Sequence, residues 1–255
     1  DGIIHGATNQ IYQNAEEFYR AENGHAIGYF WGYKTAGIFQ NQQDINNWIA
    51  AGNGVLQSNV QPGDVKYVDV NHDGTINAND KVDLGNGLPK YTFGFNFTLG
   101  YKGFDLSANF TGAAGFQIAQ SYRDPSGSQG NYSHRILGRW TGEGTSNEMP
   151  RVTYGDVGNW LFSDLYLQDG DYIRLQNLTL GYDFKKLISW KGLSKLRLYF
   201  QVQNLFTLTK YDGMDPEIGS YNGTDGNSSD SWVSGVDMGY YPHPRTFIVG
   251  VNVAF

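Results

Sequence analysis

The chain has no cysteine among its 255 residues, so it can build neither a disulfide framework nor a thiolate metal site. Basic residues are scarce: 18 lysines and arginines stand against 25 aspartates and glutamates, for a net charge of −7. The absence of a basic stripe to displace counterions from phosphates argues against nucleic acid as a partner. No run of about 18 apolar residues occurs, which excludes a spanning helix. It does not exclude a barrel, because half of every barrel strand is polar and the average stays soluble-looking, here a mean hydropathy of −0.47. The opening DGIIHG lacks the charged start and apolar core of a signal peptide, so a processed product or a piece of something longer is expected.

Catalytic patterns are missing as well. His5, His25, His72, His134 and His243 are scattered without metal spacing, and neither a nucleophile elbow nor an HExxH pattern is present. Asp215 and Glu217 are close enough for a glycosidase carboxylate pair, and Asp169 and Asp171 for an acid and base, but both pairs read better as turn residues. The chain is expected not to be an enzyme.

What is abundant is 34 glycines, 18 tyrosines and 15 phenylalanines, a composition of turns and strands that points to an all-β protein. The stretch Thr246 to Phe255 alternates strictly, with Phe247, Val249, Val251, Val253 and Phe255 on one face and Ile248, Gly250, Asn252 and Ala254 on the other. An alternating strand closed by Phe is what the assembly machinery of bacterial outer membranes reads, and in a closed barrel lipid replaces water on its outer face. Tyr91 to Tyr101 repeats the pattern, with Phe93, Phe95, Phe97 and Leu99 sharing a face with the two tyrosines. Its length is about 36 Å, and a tilt of about 45° brings the height near that of an outer-membrane apolar band. Lys102 and Gly103 form a two-residue turn, which pairs Tyr101 with Phe104, Leu99 with Leu106, Phe97 with Ala108 and Phe95 with Phe110. A second hairpin joins strands at 172–184 and 196–209 through a connection carrying Ile188 and Trp190, both suited to a membrane interface.

The fold expected is therefore all-β, antiparallel strands of a transmembrane β-barrel with long extracellular loops. Residues 91–255 supply strands and loops, and residues 1–90 are an extracellular loop region. In that first region the pattern suggests a short helix from Asn14 to Glu22, strand patches at Ile27 to Tyr33 and Thr35 to Phe39, a helical turn or two from Gln42 to Ala51, and turn chemistry from Gln61 to Lys90. If Phe255 ends on the periplasmic side, the long segments 112–163 and 211–245 both fall outside and the Lys102-Gly103 turn inside. The rival is a secreted, calcium-stabilised β-sandwich for glycan binding or adhesion.

Residues 69–80, DVNHDGTINAND, carry oxygen ligands at positions 1, 3, 5 and 12 (Asp69, Asn71, Asp73, Asp80), a backbone carbonyl at 7 (Thr75) and glycine at 6. Ca²⁺ needs that density of oxygens on a chain able to wrap it, and the spacing is close to that of dockerin loops. A structural calcium clip is expected here, Asn77 being a weaker ligand candidate acting through water.

PGDVKYVDVNHDGTIN (62–77), LPKYTFGFNFTLGYKGFDLS (88–107), DGDYIRLQNLTLGYDF (169–184), LRLYFQVQNLFTLTKYDGMDPE (196–217) and YPHPRTFIVGVNVAF (241–255), with WGYKTAGIF (31–39) upstream, resemble in order the C-terminal part of SusC/RagA-type TonB-linked outer-membrane proteins of Bacteroidota. The resemblance implies a large plugged barrel, of which these residues draw only part, its C-terminal strands. It further implies import of oligosaccharide or peptide substrate, a SusD-like surface lipoprotein as lid, and energy from TonB through parts of the protein absent here. Trp140, Trp160, Trp232, Tyr240 and Tyr241 fall in the expected external loops, where they would stack on sugar rings, contact the lid protein or pack loop on loop.

Overall fold

The computed structural model describes residues 4–6, 18–121, 134–152, 158–219 and 234–255. In chain order the strands are β1 (Ile4–Gly6), β2 (Tyr19–Ala21), β3 (Tyr29–Tyr33), β4 (Thr35–Ile38), β5 (Val65–Tyr67), β6 (Lys81–Asn86), β7 (Tyr91–Tyr101), β8 (Phe104–Ala114), β9 (Gln117–Gln120), β10 (Leu167–Asp169), β11 (Tyr172–Asp183), β12 (Lys195–Thr209), β13 (Val236–Asp237) and β14 (Thr246–Ala254), with one α-helix, α1 (Gln42–Ala50), between β4 and β5. They divide between two compact units, one made of Asp1–Leu88, Gln117–Gln168 and Ile218–Gly239, the other of Pro89–Phe116, Asp169–Glu217 and Tyr240–Phe255.

The second unit is a five-stranded antiparallel sheet in the order β14-β12-β11-β8-β7. Its register follows from the sequence pattern. The Lys102-Gly103 turn has φ of 47° and 99°, both positive as the tight hairpin turn requires, and it pairs Tyr101 with Phe104, Leu99 with Leu106 and Phe97 with Ala108 as expected. Rows of apolar residues then run across all five strands. Phe97, Ala108, Leu178, Val202 and Phe247 form one row, and Leu99, Leu106, Leu180, Phe200 and Val249 the next. On the opposite face the matching row is Asn96, Asn109, Asn177, Gln203 and Thr246, so carboxamides lie abreast where the first face carries hydrocarbon.

The apolar face is bare. Phe95 is 58% exposed, Tyr101 65%, Phe247 61% and Val249 71%, although all belong to regular strands. In water a sandwich buries one face of each sheet; a wall facing lipid has no such need. This exposure removes the sandwich alternative. The sheet is not closed, since β7 and β14 are its edges.

One departure from alternation matters. Between Leu175 and Asn177 the register of β11 slips against both neighbours: Gln176 is an extra residue against β8, whereas against β12 the extra residue is on β12, where Asn204 and Leu205 lie opposite Gln176. A bulge of this kind reverses which side chains share a face. Leu175 therefore joins Phe110 and Phe206, while Arg174 turns to the polar face beside Thr111 and Thr207.

The first unit is more structured than a set of loops. Segments Gln117–Gln168 and Ile218–Gly239 group with the N-terminal segment. A four-stranded sheet β1-β2-β3-β6, a three-stranded sheet β10-β9-β13 and the pair β4-β5 surround aromatic cores. Phe18, Tyr19, Phe30, Trp160, Phe162 and Tyr166 form one core, and Tyr33, Val65 and Tyr67 another. The helix expected from Asn14 to Glu22 is not seen in its described part: Tyr19–Ala21 is strand, paired with Phe30 and Tyr29 of β3. Residues 14–17 lie outside the described residues. The turn-rich stretch from Gln61 also holds β5 and β6, which pairing with β4 and β3 stabilises despite their polar sequence. α1 forms where suspected, capped by the Asn41 side chain accepting from the Asp44 amide at 2.9 Å and anchored by buried Ile45.

Candidate functional site

Three constellations stand out. The first is the Asp69 to Asp80 loop. Asp69 accepts from the amides of Asp73 (3.2 Å) and Gly74 (2.7 Å), and Asp80 from those of Val70 (3.0 Å) and Asn77 (2.8 Å). Both carboxylates are buried, at 2% and 0% exposure, and they hold the loop closed from its two ends. Asp73 is exposed, and hydrogen bonds from Thr75 and Asn71 hold its carboxyl below the usual range. Each carboxylate oxygen that accepts one amide keeps a lone pair for a cation. Among the described residues, however, Asp69, Asp73 and Asp80 do not all come within 4.8 Å of one another.

The second constellation was not legible from spacing. Arg174, turned to the polar face by the bulge and only 3% exposed, donates to Asp215 Oδ1 (2.5 Å), Glu217 Oε2 (2.7 Å) and Thr207 Oγ1 (3.0 Å). Asp215 also accepts from the Glu217 amide at 2.9 Å, the His243 amide at 3.0 Å and the His243 ring Nδ1 at 2.8 Å. Burial alone would raise the Asp215 carboxyl, but the amides of Glu217 and His243, the His243 ring and Arg174 together hold it below the usual carboxylate range. Asp215, Glu217 and His243 have the mutual closeness of metal ligands, yet the guanidinium already fills that role. The node ties segments 211–217 and 240–245 to β11, beside a hollow of about 230 Å³ lined by Arg174, Phe206, Met214, His243 and Arg245. His243, read as a scattered histidine, belongs to this node. Asp169 and Asp171 keep their turn role, the Asp171 carboxylate accepting from the Gly115 amide at 2.6 Å.

The third constellation is in the first unit. Fully buried Asp64 accepts from Arg151 Nε at 2.5 Å, Asn159 Nδ2 at 2.8 Å and the Gln61 amide at 2.8 Å, pinning β5 to two distant segments.

The loop aromatics separate. Tyr241 is 93% exposed and Tyr240 42%. Trp160 is 3% exposed, packed edge-on to Tyr166 with ring centroids 6.3 Å apart, so its expected surface role is replaced by core packing. Trp140 is half-buried and lies against Gly63, where a Cβ would meet its ring at 2.5 Å. Trp232 lies outside the described residues.

No protein-family model matches the chain. TonB-dependent receptor P3 of Formosa agariphila is 33% identical over 257 residues, covering 100% of this chain and 24% of its own length. TonB-dependent receptor P26 of the same organism is 32% identical, covering 91% and 23%, and TonB-dependent receptor SusC of Bacteroides thetaiotaomicron is 28% identical, covering 79% and 18%. Among solved structures, the RagAB peptide transporter aligns with a TM-score of 0.65 at 20% identity, covering 96% of this chain and 24% of its counterpart. The chain thus spans about a quarter of the length of the curated relatives it matches.

A sheet with one bare hydrocarbon face, matched along its length by such proteins, defines the class: the chain is part of an outer-membrane β-barrel protein, and its relatives are receptors and importers rather than enzymes. Within that class its sequence relatives are TonB-dependent receptors, SusC among them.

Proposed function

We propose that the chain forms part of the barrel wall and of an extracellular folded unit of a TonB-dependent importer, which takes up an oligomeric nutrient, glycan or peptide, under a SusD-like lipoprotein. The observation that carries this reading is the five-stranded sheet, with lipid-suited residues on one face and a neutral polar row of Asn96, Asn109, Asn177 and Gln203 on the other. Carboxamides both donate and accept hydrogen bonds, which suits a wall past which hydroxyls or peptide groups move. In the orientation proposed, the Lys102-Gly103 turn faces the periplasm and the long connections fall outside, where exposed Tyr240 and Tyr241 of the second unit offer flat amphipathic surfaces to a lid protein or substrate. TonB acts through parts of the receptor beyond these residues. The test is uptake by cells lacking the full-length receptor, supplied with labelled glycans and labelled peptides in turn. Loss of uptake of one class assigns the substrate; undiminished uptake of both contradicts the proposal.

Calcium at Asp69, Asn71, Asp73, Thr75 and Asp80 is proposed as a structural clip for the first unit. The buried carboxylates of Asp69 and Asp80, which bring both ends of the loop together, support it.

A further inference from the structure

The chain as a whole is acidic, but the short-turn end of its sheet is not. There Lys102 sits in the β7–β8 turn, and Lys186 and Lys191 in the connection between β11 and β12. All three are exposed, and none makes an ion pair with a described residue. The acids nearby are engaged elsewhere: Asp105 is held bidentately by Arg197 at 2.5 and 2.8 Å, and Asp183 accepts from the Lys185 amide at 3.0 Å. Lys195 is also exposed, but it shares the polar face with Arg197 and does not enter the argument.

Lys102 and Lys186 are neighbours, and Lys191 belongs to the same connection as Lys186. The Asp183 amide donates to the Gly103 carbonyl at 2.8 Å, and a Cβ at Gly103 would lie 3.2 Å from Lys186 Cδ, so the turn and the connection are neighbours. The connection itself is built rather than loose. Lys185 Nζ donates to the Trp190 carbonyl at 2.7 Å, Leu193 is buried, and the Trp190 ring meets that of Phe255 edge-on at 6.3 Å. What it presents outward is apolar: Leu187 is 69% exposed and Trp190 60%, continuous with Tyr101 and Phe104 at the end of the bare face.

We propose that this end binds the headgroups of anionic glycerophospholipids in the adjoining leaflet. Leu187, Ile188 and Trp190 would enter the boundary between headgroups and acyl chains, and Lys102, Lys186 and Lys191 would meet the phosphates. Continuity with the lipid-facing rows favours a lipid occupant, since an acidic protein would gain nothing from the hydrocarbon beside the cations. Amphipathic rings with cationic side chains at headgroup level have this preference in general, and each lysine near an anionic surface contributes about 1 kcal/mol, a factor of roughly five.

The experiment uses the full-length receptor in nanodiscs of phosphatidylcholine with a minority of phosphatidylglycerol, with bound lipids counted by native mass spectrometry. The variant Lys102→Asn, Lys186→Gln, Lys191→Gln removes the charges, and asparagine also suits the positive φ at residue 102. It should lose phosphatidylglycerol preference by roughly fivefold per charge. Lys186→Arg with Lys191→Arg should retain it. Equal preference in the neutral variant and wild type would overturn the proposal. Full displacement of the lipid by soluble glycerol phosphate would overturn it too, because the site would then read a free phosphate rather than a membrane.

Discussion

At the scale of single residues, this part of the protein depends on buried acids with more than one donor. Asp215 has the strongest case. Its partners Arg174 and His243 lie 41 and 28 positions away in the sequence, so no local spacing could reveal them. Arg174 also reaches the polar face only because Gln176 breaks the alternation that a reader of the sequence would extend. Substituting Asp215→Ala leaves the guanidinium buried beside half-exposed Glu217 alone, which should cost about 3–5 kcal/mol. The loss should appear in the full receptor as a lower melting temperature. The pH dependence has a definite sign. A carboxyl held below its usual range in the folded state contributes stability that is complete above the ordinary carboxylate pKa of about 4 and is lost as pH falls below it. Asp215→Asn should therefore flatten the fall in melting temperature at acid pH, while leaving the neutral-pH shape of the curve unchanged.

Gly181 makes a parallel point within the sheet. Arg197 on β12 reaches Asp105 on β8 across the intervening β11, and a Cβ on Gly181 would lie 2.5 Å from both Arg197 Nη2 and Asp105 Oδ1. Gly181→Val should break that ion pair and destabilise the strand triplet by about 1–3 kcal/mol, read as a lower urea midpoint for the folded barrel. Gly181→Ala should do so less.

At the scale of elements, legibility follows from solvent. A strand with lipid on one side and a polar interior on the other must alternate, and a two-residue turn leaves one register, so β7, β8 and β14 and the pairing of Tyr101 with Phe104 were readable from the residues alone. The first unit escaped because its burial is assembled from three segments distant in sequence, each polar and glycine-rich by itself. Nothing in the composition of 134–168 announces that Trp160 and Phe162 will pack against Phe18 and Phe30. The two faces of the sheet should answer differently to charge. Phe97→Arg places a guanidinium in hydrocarbon and should cost about 2–4 kcal/mol, while Asn96→Arg on the opposite face should be tolerated. The yield of heat-modifiable folded protein in outer-membrane fractions measures the difference.

At the scale of the whole molecule, the two units respond to different conditions: lipid supports the sheet, and calcium, as proposed, supports the folded unit built on Asp69 to Asp80. With calcium at ten times its dissociation constant the gain is about 1.4 kcal/mol. Calcium should then raise the melting temperature of the full receptor, chelator should lower it, and Asp69→Asn with Asp80→Asn should abolish the response. An unchanged melting curve with calcium and with chelator would contradict the clip.

The central claim is that the five-stranded sheet is a membrane wall with lipid on one face and water on the other. Single cysteines at Phe97 and Val251 and at Asn96 and Asn252, placed in a cysteine-free full-length receptor and probed in intact outer membranes, test it most directly. The account predicts that Phe97→Cys and Val251→Cys react with a membrane-partitioning maleimide and resist a water-soluble one, and that Asn96→Cys and Asn252→Cys do the reverse. Equal labelling of all four positions by the water-soluble reagent would contradict it.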